Sequence, residues 1–214
     1  MVAAMADGKI FTLDHREKAP EASHRDLFLN DSGNVIPGMS LFSRAGSGVP
    51  GTVDGLIRAL ADHGSGNITL RQALIPAIRL AEKGFELSHY EAQRFNGYEE
   101  LFESNDAAAA IFIRRDGNPW RKGDKLVQKD LAKTLKRISK YGRDGLYTGP
   151  VADLIVAEMN RGIGLISNED LLNYKSKYRE PVMSSFNDYN LLSMGLPSSG
   201  GTILVEMFNM LENF

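Results

Sequence analysis

Leu13-Asp14-His15-Arg16-Glu17-Lys18-Ala19-Pro20 places an arginine at the end of a predicted strand, directly before a loop punctuated by proline. The strand reading rests on the alternation of Ile10, Thr12 and Asp14, which runs out at Arg16, an ordinary place for a strand to present a side chain to a cleft. Upstream, Asp7-Gly8 lies between two apolar stretches and predicts a hairpin of residues 1–6 with residues 9–14, closed by a type I′ turn. Residues 1–6 are apolar but too short for a secretory signal, so a chain opening in this hairpin implies further sequence ahead of it.

Composition narrows the function classes. With 214 residues, 43% hydrophobic and 24% charged, the chain suits a globular protein and excludes disorder. A net charge of −2 with both signs interspersed offers no basic stripe to neutralise phosphates, so no nucleic-acid partner is expected. The lack of cysteine removes disulfides, thiolate metal sites and thiol nucleophiles. No apolar run approaches the ~18 residues of a membrane span. His15, His24, His63 and His89 are widely spaced and the acidic residues are scattered, so neither a metal nor a cofactor is expected.

Beyond the opening hairpin, residues 21–48 read as a long surface excursion with a turn at Asp31-Ser32-Gly33-Asn34. A helix follows from Pro50, with Val53, Leu56, Ile57 and Leu60 on one face and Gly64 as its stop. Thr69 caps a second helix with Leu70, Leu74, Ile78 and Ala81 inward, which Pro76 should kink or split. Ser88 and Glu91 have capping-box spacing and start a helix reaching about Glu103. Residues 110–120 suggest a small hairpin, followed by a turn at Lys122-Gly123-Asp124. Two further helices carry Leu131, Leu135 and Ile138, then Val151, Leu154, Ile155 and Met159. A short one starts at Ser167 and carries Leu171, Leu172 and Tyr174. Residues 181–184 and 189–193 form a hairpin around Asn187-Asp188, and a terminal helix from Thr202 turns Ile203, Met207 and Met210 inward. The whole reads as a single partial domain over residues 1–214, mostly helical, with strand pairs too small to stand alone.

Spacing leaves two readings of Arg16 open. Its guanidinium is suited to hold a carboxylate by two parallel hydrogen bonds, or it is paired with Asp14 or Glu17, and spacing by itself favours the pairing. Pro197-Ser198-Ser199-Gly200-Gly201-Thr202 is a glycine-rich turn feeding a helix. No Gly-Lys-Ser/Thr follows it, so it reads as close backbone packing in preference to a phosphate site.

These segments, with Val49-Pro50-Gly51-Thr52, Lys122-Gly123-Asp124, Gly164-Leu165-Ile166 and Leu211-Glu212-Asn213-Phe214, resemble in order the large subunit of the γ-glutamyltranspeptidases. The family's Asp-x-Arg-Glu-x-Ala-Pro pattern is matched by Asp14, Arg16, Glu17, Ala19 and Pro20. The resemblance implies an α+β, four-layer α-β-β-α N-terminal-nucleophile hydrolase fold, of which this chain is the mostly helical large-subunit portion with part of the sheet. It implies that Arg16 grips the α-carboxylate of a γ-glutamyl substrate such as glutathione, and that the Pro197 turn is a wall of the site. It gives His15 no role. It further implies a precursor that cuts itself to free a threonine nucleophile, a small subunit as partner, and a periplasmic or secreted location. None of Thr12, Thr52, Thr69, Thr134, Thr148 and Thr202 lies in a processing sequence, so the nucleophile is expected outside this chain. The competing expectation is a helical binding or scaffold domain that keeps the architecture without the chemistry.

Overall fold

The computed structural model describes residues 1–212. Asn213 and Phe214, which close the last of the resembling segments, lie outside the described residues. In chain order the elements are β1 (Val2–Ala4), β2 (Ile10–Asp14), α1 (Met39–Phe42), α2 (Thr52–His63), α3 (Leu70–Lys83), β3 (Phe85–Glu86), α4 (His89–Gly97), α5 (Glu99–Glu103), α6 (Asp106–Phe112), β4 (Lys125–Leu126), α7 (Lys129–Tyr141), α8 (Asp144–Tyr147), α9 (Gly149–Asn160), α10 (Asn168–Asn173), β5 (Lys177–Arg179), β6 (Val182–Phe186), β7 (Tyr189–Ser193) and α11 (Gly200–Leu211). They fall into two compact units, Met1–Ser65 with Tyr147–Phe214, and Gly66–Leu146.

In the first unit β2 is the middle strand of an antiparallel sheet ordered β1-β2-β5, with Thr12 opposite both Val2 and Arg179. The β1–β2 hairpin forms as the sequence predicts, but its turn is different. Gly8 has φ 84 while Asp7 does not enter positive φ, and the Gly8 amide donates to the Met5 carbonyl at 2.9 Å. This is a type I turn followed by a left-handed glycine, a three-residue loop that also suits the twist of the strands. Phe11, Thr12 and Leu13 are buried in succession, so the strand is covered on both faces. At its end the Asp14 carboxylate accepts a bond from Arg179 Nε at 2.8 Å across to β5.

Helices α2, α11 and α9 depart from the apolar stripes read in the sequence. On α2 the buried residues are Asp54 and Gly55, and Leu56 is half exposed. Asp54 faces inward because its carboxylate accepts the Ser176 amide at 2.8 Å, and Gly55 because a Cβ there would stand 2.3 Å from His15 Cβ. On α11 Ile203, Met207 and Met210 are exposed, and the inward face is Gly201, Val205 and Phe208, at spacing i, i+4, i+7. Phe208 meets Phe186 of β6 with ring centroids 4.8 Å apart. On α9 Val151, Ala152 and Met159 are buried, while Leu154 is exposed. The β6–β7 hairpin closes at Asn187, φ 49, as the Asn-Asp pair predicts. Within residues 21–48 the chain makes a short turn closed by Leu29 opposite Val35 and then α1.

The second unit packs α3 against α7 beside the small β3–β4 pair. The Ser88 capping box forms as predicted, and Thr69 caps α3 as expected, with Gln72 completing a second box. The α3 helix runs through Pro76 without splitting, and the helix from Ser88 is broken at Tyr98 into α4 and α5. The hairpin expected over residues 110–120 is replaced by α6 and a loop. Asn105 Oδ1 caps the Ala107 and Ala108 amides at 3.0 and 3.1 Å, and the alanine run that follows prefers helix. Arg114 then bridges Asp116 and Asp124.

Two stability outcomes follow from these packings. An added Cβ at Gly201 would sit 2.2 Å from the Met194 carbonyl oxygen, whereas at Gly200 it meets only Ser198 Oγ at 3.5 Å. Gly201→Ala should cost about 1–3 kcal/mol in denaturant unfolding and Gly200→Ala close to nothing. For Asp14, burial raises the pKa, but bonds from Arg179 and the Arg16 amide outweigh it and hold the carboxyl below its ordinary value. A depressed folded pKa gives stability that is present above the unfolded value of about 3.9 and lost as pH falls through the folded one. Asp14→Asn should therefore cost about 1 kcal/mol at neutral pH, limited by the partly exposed arginine, and progressively less in acid.

Candidate substrate-binding site

The end of β2 and the Pro197 turn, 181 residues apart in sequence, meet at one cavity of about 400 Å³. Arg16, Glu17, Asp14, Thr52, Pro197 and Ser198 are among the residues around it. Spacing brings out Arg16 and the Pro197 turn separately and only the family resemblance puts both at one site; the fold places them side by side. Thr52, the first residue of α2, also lines this cavity, a place that neither its motif nor its exclusion as a nucleophile gave it.

The Arg16 side chain is 56% exposed. Its Nε donates to Glu17 Oε1 at 3.3 Å and its Nη1 to the Pro197 carbonyl at 3.4 Å, both long for charged hydrogen bonds. Among the described residues Nη2 has no hydrogen-bond partner. The pairing with Asp14 that spacing allowed does not form, because Arg179 takes that carboxylate and Asp14 Oδ1 accepts the Arg16 main-chain amide at 3.1 Å. A guanidinium held this loosely at a cavity wall keeps its planar fork available to a carboxylate.

The main chain beneath it is firmly tied. Lys18 and Val49 exchange backbone bonds of 3.2 and 2.7 Å. The Tyr174 hydroxyl donates to the Arg16 carbonyl at 2.7 Å, and the Tyr147 hydroxyl donates to the Pro50 carbonyl at the same distance. The two tyrosine rings are buried and stacked, with centroids 5.9 Å apart and planes 11° from parallel. Neither tyrosine stood out in the sequence as part of a site. In the fold a side chain at Gly51 would collide with the Tyr174 hydroxyl at 2.0 Å, a constraint that only the folded contacts reveal.

Larger cavities of about 900 and about 620 Å³ lie around Arg114 and Trp120 in the second unit and around Tyr178 and His63 in the first. The arginine of the first already bridges two aspartates, and the Tyr178 hydroxyl of the second is bonded to Asp62 and His63. Among the described residues no three His, Cys, Asp or Glu side chains gather as metal ligands, and no helix is long and apolar enough to cross a membrane.

Comparison with known proteins agrees with the sequence motifs along the whole chain. The family Gamma-glutamyltranspeptidase matches residues 1–214. The glutathione hydrolase proenzymes of Pseudomonas sp. (strain A14) and Escherichia coli (strain K12) are 41% and 40% identical over all of this chain, which spans 37% of the length of each. The crystal structure of Helicobacter pylori γ-glutamyltranspeptidase superposes with a TM-score of 0.96 at 40% identity, covering all of this chain and 61% of that one. The fold is thus the N-terminal-nucleophile hydrolase fold of these relatives, in its mostly helical portion with part of the sheet. The chain belongs to the γ-glutamyltranspeptidase family.

Proposed function

We propose that this chain is the substrate-anchoring part of an enzyme that cleaves the γ-glutamyl amide of glutathione and related compounds and passes the γ-glutamyl group to water or an amino acid. The observation that carries this reading is the loosely paired Arg16 guanidinium beside the Pro197 turn, on a main chain that is itself held fast. The relatives' name of glutathione hydrolase proenzyme supports it.

In this reading the nucleophile is a threonine outside this chain, freed by self-cleavage of a precursor and carried by a small subunit. Its hydroxyl attacks the γ-carbonyl, the amine leaves with a proton, and a γ-glutamyl ester remains until water or an amino acid takes the acyl group. Arg16 makes and breaks no bond. It holds the α-carboxylate by a charged, bidentate contact, so that the γ-carbonyl, separated from it by three carbons, is brought to the threonine in one orientation. Glu17 is the competing anion for Arg16, and its 61% exposure makes that internal pair weak enough for a substrate carboxylate to displace.

Two measurements test the reading. In the full-length gene product, Arg16→Ala should raise KM for γ-glutamyl-p-nitroanilide about tenfold or more, the loss of a charged hydrogen-bond pair, and unchanged kinetics would overturn the anchoring role. The same assay with mass spectrometry on this chain and on the full-length product should find activity and a threonine-led cut only in the latter. Two inert, uncut proteins would instead favour a non-catalytic scaffold.

A further inference from the structure

Arg16 lies just beyond β2, outside the sheet ladder, yet both of its main-chain polar groups are held by side chains, one two residues back in the chain and one 158 residues on. Its amide donates to Asp14 Oδ1 at 3.1 Å, and Asp14 is held in turn by Arg179 of β5. Its carbonyl accepts from the Tyr174 hydroxyl at 2.7 Å. Fixing the peptide on each side of a residue fixes the direction of its Cα–Cβ bond, and so where a long side chain starts its reach.

Tyr174 is well suited to be the fixed end of that contact. It ends α10, whose first turn is set by the Ser167–Asp170 capping box and whose Leu171 is fully buried. One side of its ring faces Tyr147, and the Lys18 ammonium stands 4.6 Å from its centroid. That ammonium is held by the Lys175 carbonyl at 2.8 Å. Burial, with the neighbouring Tyr147 and nearby carboxylates, pushes the Tyr174 hydroxyl well above its ordinary pKa, so it stays a donor. Gly51 leaves the space that the hydroxyl needs, since a Cβ there would overlap both it and the His15 carbonyl.

Resting on the anchoring role of Arg16, we propose that Tyr174 and Asp14 are positioning residues of the carboxylate clamp: they grip the Arg16 carbonyl and amide and aim its guanidinium at the substrate's α-carboxylate. Tyr174 does not line the cavity beside Arg16, and Asp14, which does, has its two carboxylate oxygens on Arg179 and on the Arg16 amide. Tyr174 acts through a main-chain oxygen, so removing its hydroxyl leaves charge and packing nearly intact and lets the arginine wander.

The test compares two substrates in the full-length protein, γ-glutamyl-p-nitroanilide and 4-aminobutyryl-p-nitroanilide, which lacks the α-carboxylate. Arg16→Ala should collapse the preference for the first. Tyr174→Phe should lower the ratio of the two kcat/KM values about fivefold, the factor expected for one buried hydrogen bond, chiefly through KM. Added to Arg16→Ala, it should lower the ratio no further, because both changes act on one contact. Asp14→Ala, which removes the acceptor of the Arg16 amide and is read in the same way, supplies a second variant should Tyr174→Phe fail to accumulate. If Arg16→Ala loses the preference while Tyr174→Phe or Asp14→Ala slows both substrates equally, the positioning role is overturned and the clamp stands. If Arg16→Ala keeps the preference, the clamp and the positioning role fall together.

Discussion

The position of β2 between two antiparallel neighbours constrains everything else at this site. Thr12 and Leu13 are fully buried and paired on either side, so the strand cannot shift without moving its side chains to the wrong face. The chain therefore leaves the sheet at a fixed point, immediately after Asp14, and Arg16 is the second residue beyond it. Asp14 has one carboxylate oxygen on Arg179, within the sheet, and the other on the Arg16 amide, within the loop. One side chain thus carries the order of the sheet into the site.

The site combines a rigid main chain with an underused charge. A deeply buried guanidinium would need full pairing to offset its desolvation, and would have little left for a ligand. A fully solvated one would be too mobile to orient anything. Arg16 lies between these limits: half its side chain is exposed, its internal contacts are long, and its backbone is held by buried groups. The Pro197 carbonyl is the only main-chain acceptor that Arg16 uses among the described residues, and it comes from a turn held close by Gly201 packing on Met194. The glycine-rich Pro197 turn matters here for how closely it lets the backbone approach, a property no phosphate motif describes.

Local chemistry was legible in the sequence wherever neighbours in the chain decide the outcome. The Thr69 cap, the Ser88 capping box, the Asn187 turn and the Gly64 helix end all rest on contacts within a few residues. The pairing of the Arg16 segment with the Pro197 turn was legible only through the order of motifs along the chain. Tertiary contacts hid the rest. Asp54 faces inward because Ser176, 122 residues away, offers it an amide, so an acidic residue displaced Leu56 from the buried face of α2. The β5 strand has three exposed residues and no alternation to betray it, and it is recognised by its pairing with β2. Tyr174 read as one more apolar helix residue, because nothing in its neighbours indicates that its hydroxyl ends on a carbonyl 158 residues away.

The most direct measurement is a crystal structure of the full-length protein with a γ-glutamyl compound bound. The expected result is a substrate α-carboxylate against the Arg16 guanidinium, with two N–H···O distances of about 2.7–2.9 Å and with the Tyr174 contact to the Arg16 carbonyl intact. A γ-glutamyl group seated with its α-carboxylate on another cation, and Arg16 still turned to Glu17, would contradict the account.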